Sequence, residues 1–392
     1  MPDLPSPAYW SPPPGGLPLT AGRPFHWGGL TDRLFGIHFG NIGLTILTLG
    51  GYRFWGIVRI RRYVWSHGAF LGDRLEYTGT GGELLRGFLI VLAVLVPFIL
   101  LAGGVELLGI SDWTLLAAIN GAKLLAFLFL LATGRHAARR YLASRTIWRG
   151  LRFAVTGSPW RCGAVQLGWW LATILTLGLA RPWALAAEAR WSFGRLHLGT
   201  QPFHFSGTGG QLLGPWIVAL VIGALGAALS GGVLYWVWQT GVIGELLAIG
   251  QLKPSMSQGQ FEGIRIAILV GLGVVLVPLL AGPFLLFAWF SFGATAMRWR
   301  WGNLELGGAH FAMPSVGAGR LARLQMGNWF LTMLSFGLLY PVVVTRNARF
   351  LAELVWTDRY PDVSSARQAA LGRGNAEGLA NVLDGGGAGL GI

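Results

Sequence analysis

The chain has 392 residues, 53% of them hydrophobic and only 12% charged, with a mean hydropathy of +0.54. A soluble domain carries about 25% charged residues, so half that share argues against water and for lipid as the main solvent. The net charge of +14 does not point to nucleic acid, because the basic residues sit in short segments beside apolar runs, as the positive-inside bias places them.

In chain order, residues 1–22 open with MPDLPSPAYWSPPPGG, lacking a basic n-region or an apolar core. They are predicted to form a disordered Pro-rich arm rather than a signal peptide. An alternating stretch from Phe25 (FHWGG) is followed by an apolar helix that stops at TILTLG, residues 45–50. A basic amphipathic helix (WGIVRIRRYVW) and a second alternating stretch (LEYTG) then lead through TGTGGELL into long apolar helices at 84–105 and 114–133. The same order returns: LRFAVTG, a helix ending in TILTLG at 173–178, a helix from Pro182, FHFSG, SGTGGQLL, and long helices at 211–237 and 264–292. A third, partial copy carries LELGG, LTMLSFG at 331–337 and Arg349-Phe350. The fold class is therefore a mainly α-helical multi-pass membrane protein of about two and a half internal repeats: 23–133, 134–297 and the partial 298–357. A Gly-rich tail covers 358–392.

Gly50, Gly178 and Gly337 fit the C′ position that closes a helix in left-handed backbone. Pro182 and Pro341 fit the first turn of the helix that follows. The alternating stretches are expected as short juxtamembrane strands in one small sheet, or as extended linkers. Loop charge sets the topology. Residues 134–161 carry seven Arg and no acid, which places them in the cytoplasm together with the other basic loops and both termini. Four spanning helices, plus three helix-turn-helix elements dipping into the cytoplasmic leaflet, keep every basic segment inside; a seven-span arrangement is the alternative.

The TLG turns followed by Pro-Trp or Phe-Trp, the Arg-aromatic pairs, RTIWRGLRF at 145–153 and the LEYTGTGG and FHFSGTGG turns together resemble the YjgN-like family of bacterial inner-membrane proteins, over roughly residues 25–357. The resemblance implies a multi-pass inner-membrane location and brings no active site with it.

Aligning the TLG helices sets three polar stripes in register: His38, Asn41, Thr45 and Thr48; Gln166, Thr173 and Thr176, with Trp169 interrupting; and Gln325, Asn328, Thr332 and Ser335. At spacings of three and four they share a helix face. They either line a path or, as is commoner in membranes, act as hydrogen-bond glue between helices. Arg62, Arg190 and Arg349, each before an aromatic, are lipid-phosphate or anion contacts, or else snorkelling anchors. GTGG at 79–82 and 207–210 lacks a Walker Lys and reads as a strand-to-helix turn. Asn120 and Lys123 lie mid-span, where a charge is expensive. No HExxH, GxSxG or Cys/His ligand spacing occurs, so no catalytic, metal or cofactor residue is assigned.

The reading is an integral membrane protein of transport-type or lipid-interacting character. The alternative is a non-catalytic scaffold whose basic cytoplasmic face docks another protein or anionic lipid. The bilayer and its anionic headgroups are the expected partner, a protein partner or a second copy comes next, and no cofactor is called for.

Overall fold

A computed structural model describes residues 22–107, 112–241, 245 and 257–368. The Pro-rich arm through residue 21 and the tail from 369 lie outside the described residues. Ten short strands organise the rest: β1 (Phe25–Trp27), β2 (Gly68–Phe70), β3 (Asp73–Tyr77), β4 (Thr146–Trp148), β5 (Leu151–Val155), β6 (Leu196–Leu198), β7 (Gln201–Phe205), β8 (Leu304–Leu306), β9 (Ala309–Ala312) and β10 (Trp356–Thr357). They form one antiparallel sheet in simple sequence order. The sheet curls until its ends meet, because Gly22 and Thr357 exchange backbone hydrogen bonds of 3.0 and 2.9 Å.

Neighbouring strands are joined in two alternating ways. Two-residue turns connect β2 to β3, β4 to β5, β6 to β7 and β8 to β9. Leu71-Gly72, Arg149-Gly150 and Gly307-Gly308 all take positive φ, which matches the twist of the flanking strands. The other connections are helix pairs, each leaving one strand and returning to its neighbour. Three pairs are short: α1 (Thr31–Leu47) with α2 (Arg53–His67), α5 (Pro159–Leu175) with α6 (Arg181–Ser192), and α9 (Ala318–Leu334) with α10 (Tyr340–Leu354). Two are long: α3 (Gly81–Leu107) with α4 (Trp113–Arg145), and α7 (Gly210–Gln239) with α8 (Gln258–Gly302). Among the described residues α4, α7 and α8 are long and apolar enough to cross a membrane.

Several expectations change in detail. Five strands are legible as alternating stretches, but ten exist among the described residues and share one sheet. The segment 134–145 is not a loop: α4 continues to Arg145, since nothing in GRHAARRYLASR stops a helix, and it buries Gly134, Ala137, Ala138 and Tyr141. The left-handed backbone begins one residue before each expected glycine, at Leu49, Leu177 and Phe336 (φ 49, 49 and 50°), and continues through Gly50, Gly178 and Gly337. The N–H of each of those glycines reaches back to the carbonyl of Thr45, Thr173 or Thr332 at 2.7–2.8 Å, closing the helix as a Schellman-type cap. Pro182 and Pro341 do fall in the first turns of α6 and α10. Residues 358–368, assigned by position to the Gly-rich tail, cross the sheet's turns. Asp362 N–H donates to Gly307 O at 3.0 Å, Thr200 N–H to Arg367 O at 2.9 Å, and Tyr360 OH to Leu71 O at 3.1 Å.

The chain divides into two units. Unit one comprises Met1–Gln211, Met297–Val316 and Arg323–Ile392; unit two comprises Leu212–Ala296 with Gly317–Ala322. Unit one holds the sheet and a core in which Trp148, Tyr141, Leu198 and Leu306 are fully buried. Within unit two, α7 and α8 meet where Gly226 lies against Phe284 and Ala281, a close approach of the small-residue kind.

Candidate functional site

The interior of the curled sheet contains a cavity of about 450 Å³, wholly within unit one. The alternation of strand side chains turns Phe25, Trp27, Phe70, Phe153, Val155, Phe203 and Phe311 toward it. The closing end of a helix precedes each even-numbered strand, and these ends bring Trp65, Arg139, Glu188, Phe193, Arg300, Trp301 and Leu351 to the same space. Its wall is therefore largely aromatic and aliphatic, and its charged side chains are Arg139, Glu188 and Arg300.

Those three form one electrostatic group. Arg139 donates to Glu188 Oε1 at 2.8 Å and to Ser192 Oγ at 2.6 Å. Burial pushes the Glu188 carboxyl up, but the Arg139 guanidinium bonded to it, with Arg300 and Arg181 farther off, outweighs burial and holds it below the ordinary carboxylate range. Arg300 makes no hydrogen bond among the described residues. His26 also lines the cavity, and burial lowers its pKa, so at neutral pH it adds no charge. None of these residues stood out in the sequence.

The residues singled out from the sequence lie elsewhere. In the first stripe, His38 Nε2 is 3.1 Å from Gly337 O, and buried Asn41 donates to Gly56 O at 3.0 Å while accepting from Arg59 at 3.3 Å. The hydroxyls bond their own helices: Thr45 to Asn41 O, Thr173 to Trp169 O and Thr332 to Asn328 O. Thr48, Thr176 and Ser335 donate to Leu44 O, Ala172 O and Leu331 O, and accept from the N–H groups of Tyr52, Ala180 and Leu339 at 2.9–3.0 Å. Each of these last three stitches one helix of a short pair to the start of the next. Asn328 donates to Asn347 at 2.7 Å; Gln166 is buried with its Nε2 unpartnered among the described residues; Gln325 is exposed. The stripes do not converge on the cavity.

Arg62, Arg190 and Arg349 all lie on the exposed side of their helices, and Arg62 donates to Gly79 O at 3.1 Å. Asn120 is exposed and Lys123 half-buried on α4. The first GTGG turn is a capping box: Glu83 N–H donates to Thr80 Oγ1 at 3.3 Å and Thr80 N–H to Glu83 Oε2 at 3.4 Å. The glycines of both GTGG turns admit rings, since a Cβ on Gly81 would fall 2.6 Å from Trp55 and one on Gly209 2.8 Å from Trp183.

Comparison with known proteins adds the lineage. The family model described as bacterial protein of unknown function (DUF898) matches residues 23–382. The chain belongs to the DUF898 family. It is similar to the inner membrane protein YjgN of Escherichia coli O157:H7, 28% identical over 156 residues, and to YjgN of Escherichia coli strain K12, 27% identical over 156 residues. Each match covers 40% of this chain, and the chain spans 35% of the length of each relative. No solved structure matches it. With its apolar helices, this DUF898 chain is a membrane protein of the YjgN-like kind.

Proposed function

We propose that this is a lipid-interacting, multi-pass inner-membrane protein whose sheet stands at the cytoplasmic face. On this reading its two long helix pairs cross the bilayer and its three short pairs are set into the adjoining leaflet. The observation that carries the reading is the chemistry of the short-pair tips. Leu49, Leu177 and Phe336 are 97%, 89% and 96% exposed, with Leu47, Leu175 and Leu334 at 80%, 83% and 79% beside them. In water three such tips would be a liability; in a leaflet they are anchors.

Length supports the same division. A 17-residue helix such as α1 rises about 25 Å, short of the ~30 Å hydrocarbon core. The 33 residues of α4 rise about 50 Å. Because every pair begins and ends on neighbouring strands of one sheet, each pair crosses the membrane twice or not at all. That argues for four spans over seven. The Arg-rich segments near the sheet favour the cytoplasm, and exposed Arg62, Arg190 and Arg349 suit anionic headgroups. The recurrence of cap, left-handed residue and glycine in all three short pairs supports repeats at 23–133, 134–297 and 298–357.

Single cysteines at 49, 177 and 336 in a Cys162→Ser background test the tips. Labels there are expected to be quenched by nitroxide on lipid tails and not by a water-soluble quencher; water access at all three would sink the leaflet reading. His204→Cys, at the exposed position of β7, is expected to react with an impermeant maleimide only in inverted vesicles.

A further inference from the structure

We infer that the cavity inside the curled sheet binds a one-chain amphiphile with a single anionic head, a fatty carboxylate or a one-chain phosphodiester lipid, its head held by Arg139 and Arg300. Three observations converge on that chemistry. The first is size: 450 Å³ lies in the small-ligand range of about 300–1,000 Å³, and a whole two-chain phospholipid does not fit. The second is the wall, where aromatic rings from the strands surround the space and suit a hydrocarbon chain. The third is charge. Two arginines line the cavity against one carboxylate; Arg139, its side chain 43% exposed, is committed to Glu188 and Ser192, whereas Arg300 has no hydrogen-bond partner among the described residues.

A guanidinium in an apolar wall is costly unless an anion and acceptors meet its five donors. Carboxylate and phosphate oxygens supply both and match the planar fork. A neutral head would leave the excess charge unanswered and a cationic head would add to it. Glu188 has a defined part here: it keeps Arg139 in place and limits the excess, so that a single negative charge suffices. This site is separate from the hairpin tips, so tip depth and cavity occupancy can fail independently.

The test uses the full chain in lipid nanodiscs with diazirine-bearing probes: a C16 fatty acid, a lysophosphatidylglycerol and the matching C16 alcohol. Cross-links are mapped by mass spectrometry. Either anionic probe, or both, is expected to label peptides containing Phe70, Phe153 or Trp301 at least about tenfold more than the alcohol, a preference of about 1.4 kcal/mol. Which anionic probe labels identifies the source of the ligand. Arg300→Gln is expected to cut that labelling about tenfold or more. Ala352→Phe, which fills the cavity and leaves the charges intact, is expected to abolish it. Equal labelling by the alcohol, cross-links confined to α3, α4, α7 or α8 upstream of the cavity, or undiminished labelling in folded Arg300→Gln would overturn the assignment. Should Arg300→Gln fail to fold, the contrast between probes and the Ala352→Phe variant decide it alone.

Discussion

The sheet of unit one and the helices of unit two are stabilised by different means. Around its sheet, unit one has a core like that of a water-soluble domain: Trp148 is 1% exposed, donates its indole N–H to Phe70 O at 2.7 Å and meets the Phe70 ring edge-on at 5.4 Å, whereas its α4 has only 6% of its most apolar window buried. Unit two has little interior. Only 17% of the most apolar window of α7 is buried, and only 6% of that of α8. Val218, Leu225, Val270 and Val274 are each more than half exposed. The sheet of unit one draws its stability from burial relative to water, whereas the long apolar helices, α4 in unit one and α7 and α8 in unit two, bury little and draw on close helix packing and apolar surroundings.

The sharpest way to break that comparison is to truncate one apolar residue in each unit. Trp148→Ala is expected to cost about 3–5 kcal/mol through the cavity it leaves and the hydrogen bond it removes. Leu225→Ala on α7 is expected to stay within about 0.5 kcal/mol. Thermal unfolding in detergent reads both, and equal losses would remove the distinction between the sheet and the long helices. Next in size, Gly226→Leu forces a side chain to where a Cβ alone already lies 2.8 Å from Phe284 Cβ. Overpacking there is expected to cost about 1–3 kcal/mol and to loosen α7 from α8, read as increased proteolysis.

The legibility of the chain follows the same line. FHW and LEY announced β1 and β3 because alternation and a following glycine are local signals. GAF and TIW, as β2 and β4, did not, because three residues joined directly to a helix end cannot show a period of two. The signal that would have found them is the pair of two-residue turns, Leu71-Gly72 and Arg149-Gly150, each placing a glycine directly before the next strand. The cavity was less legible still. Arg190 drew notice by recurring beside an aromatic, yet it is exposed, while Glu188, two residues earlier, faces the cavity. Arg139, Glu188 and Arg300 come from three helices far apart in sequence, and only closure of the sheet brings them together.

The charged wall gives a pH test of unit one. The folded-state pKa of Glu188 lies below its ordinary value of 4.5, so its contribution to stability is present above that value and is lost as pH falls through the folded value. Wild-type protein is expected to lose part of its stability below about pH 4.5, and Glu188→Gln to lack that component. At pH 7 the variant is expected to be weaker by no more than about 1 kcal/mol, because the Arg139 side chain that loses its charged partner is 43% exposed and water screens the pair. An unchanged acid limb in Glu188→Gln would show that the group is solvated like any surface carboxylate.

The smallest effect bears most directly on function. Leu49, Leu177 and Phe336 occupy left-handed backbone, which costs a residue with a Cβ about 1–2 kcal/mol relative to right-handed conformations. Glycine avoids that cost and already stands at the next position in all three turns. Stability alone would therefore favour a second glycine. A large apolar side chain held there under strain, pointing away from the fold and almost fully exposed, makes sense where its surroundings are hydrocarbon. Leu49→Gly is accordingly expected to raise the unfolding free energy in detergent slightly, by less than about 1 kcal/mol once the entropy of glycine is counted. In bilayers the same change is expected to move a label at Leu47→Cys toward water. A gain in detergent with no change in depth would leave the left-handed leucine without a role in the leaflet. A gain in detergent together with a shift of the label toward water would tie backbone strain at the turn to the membrane contact.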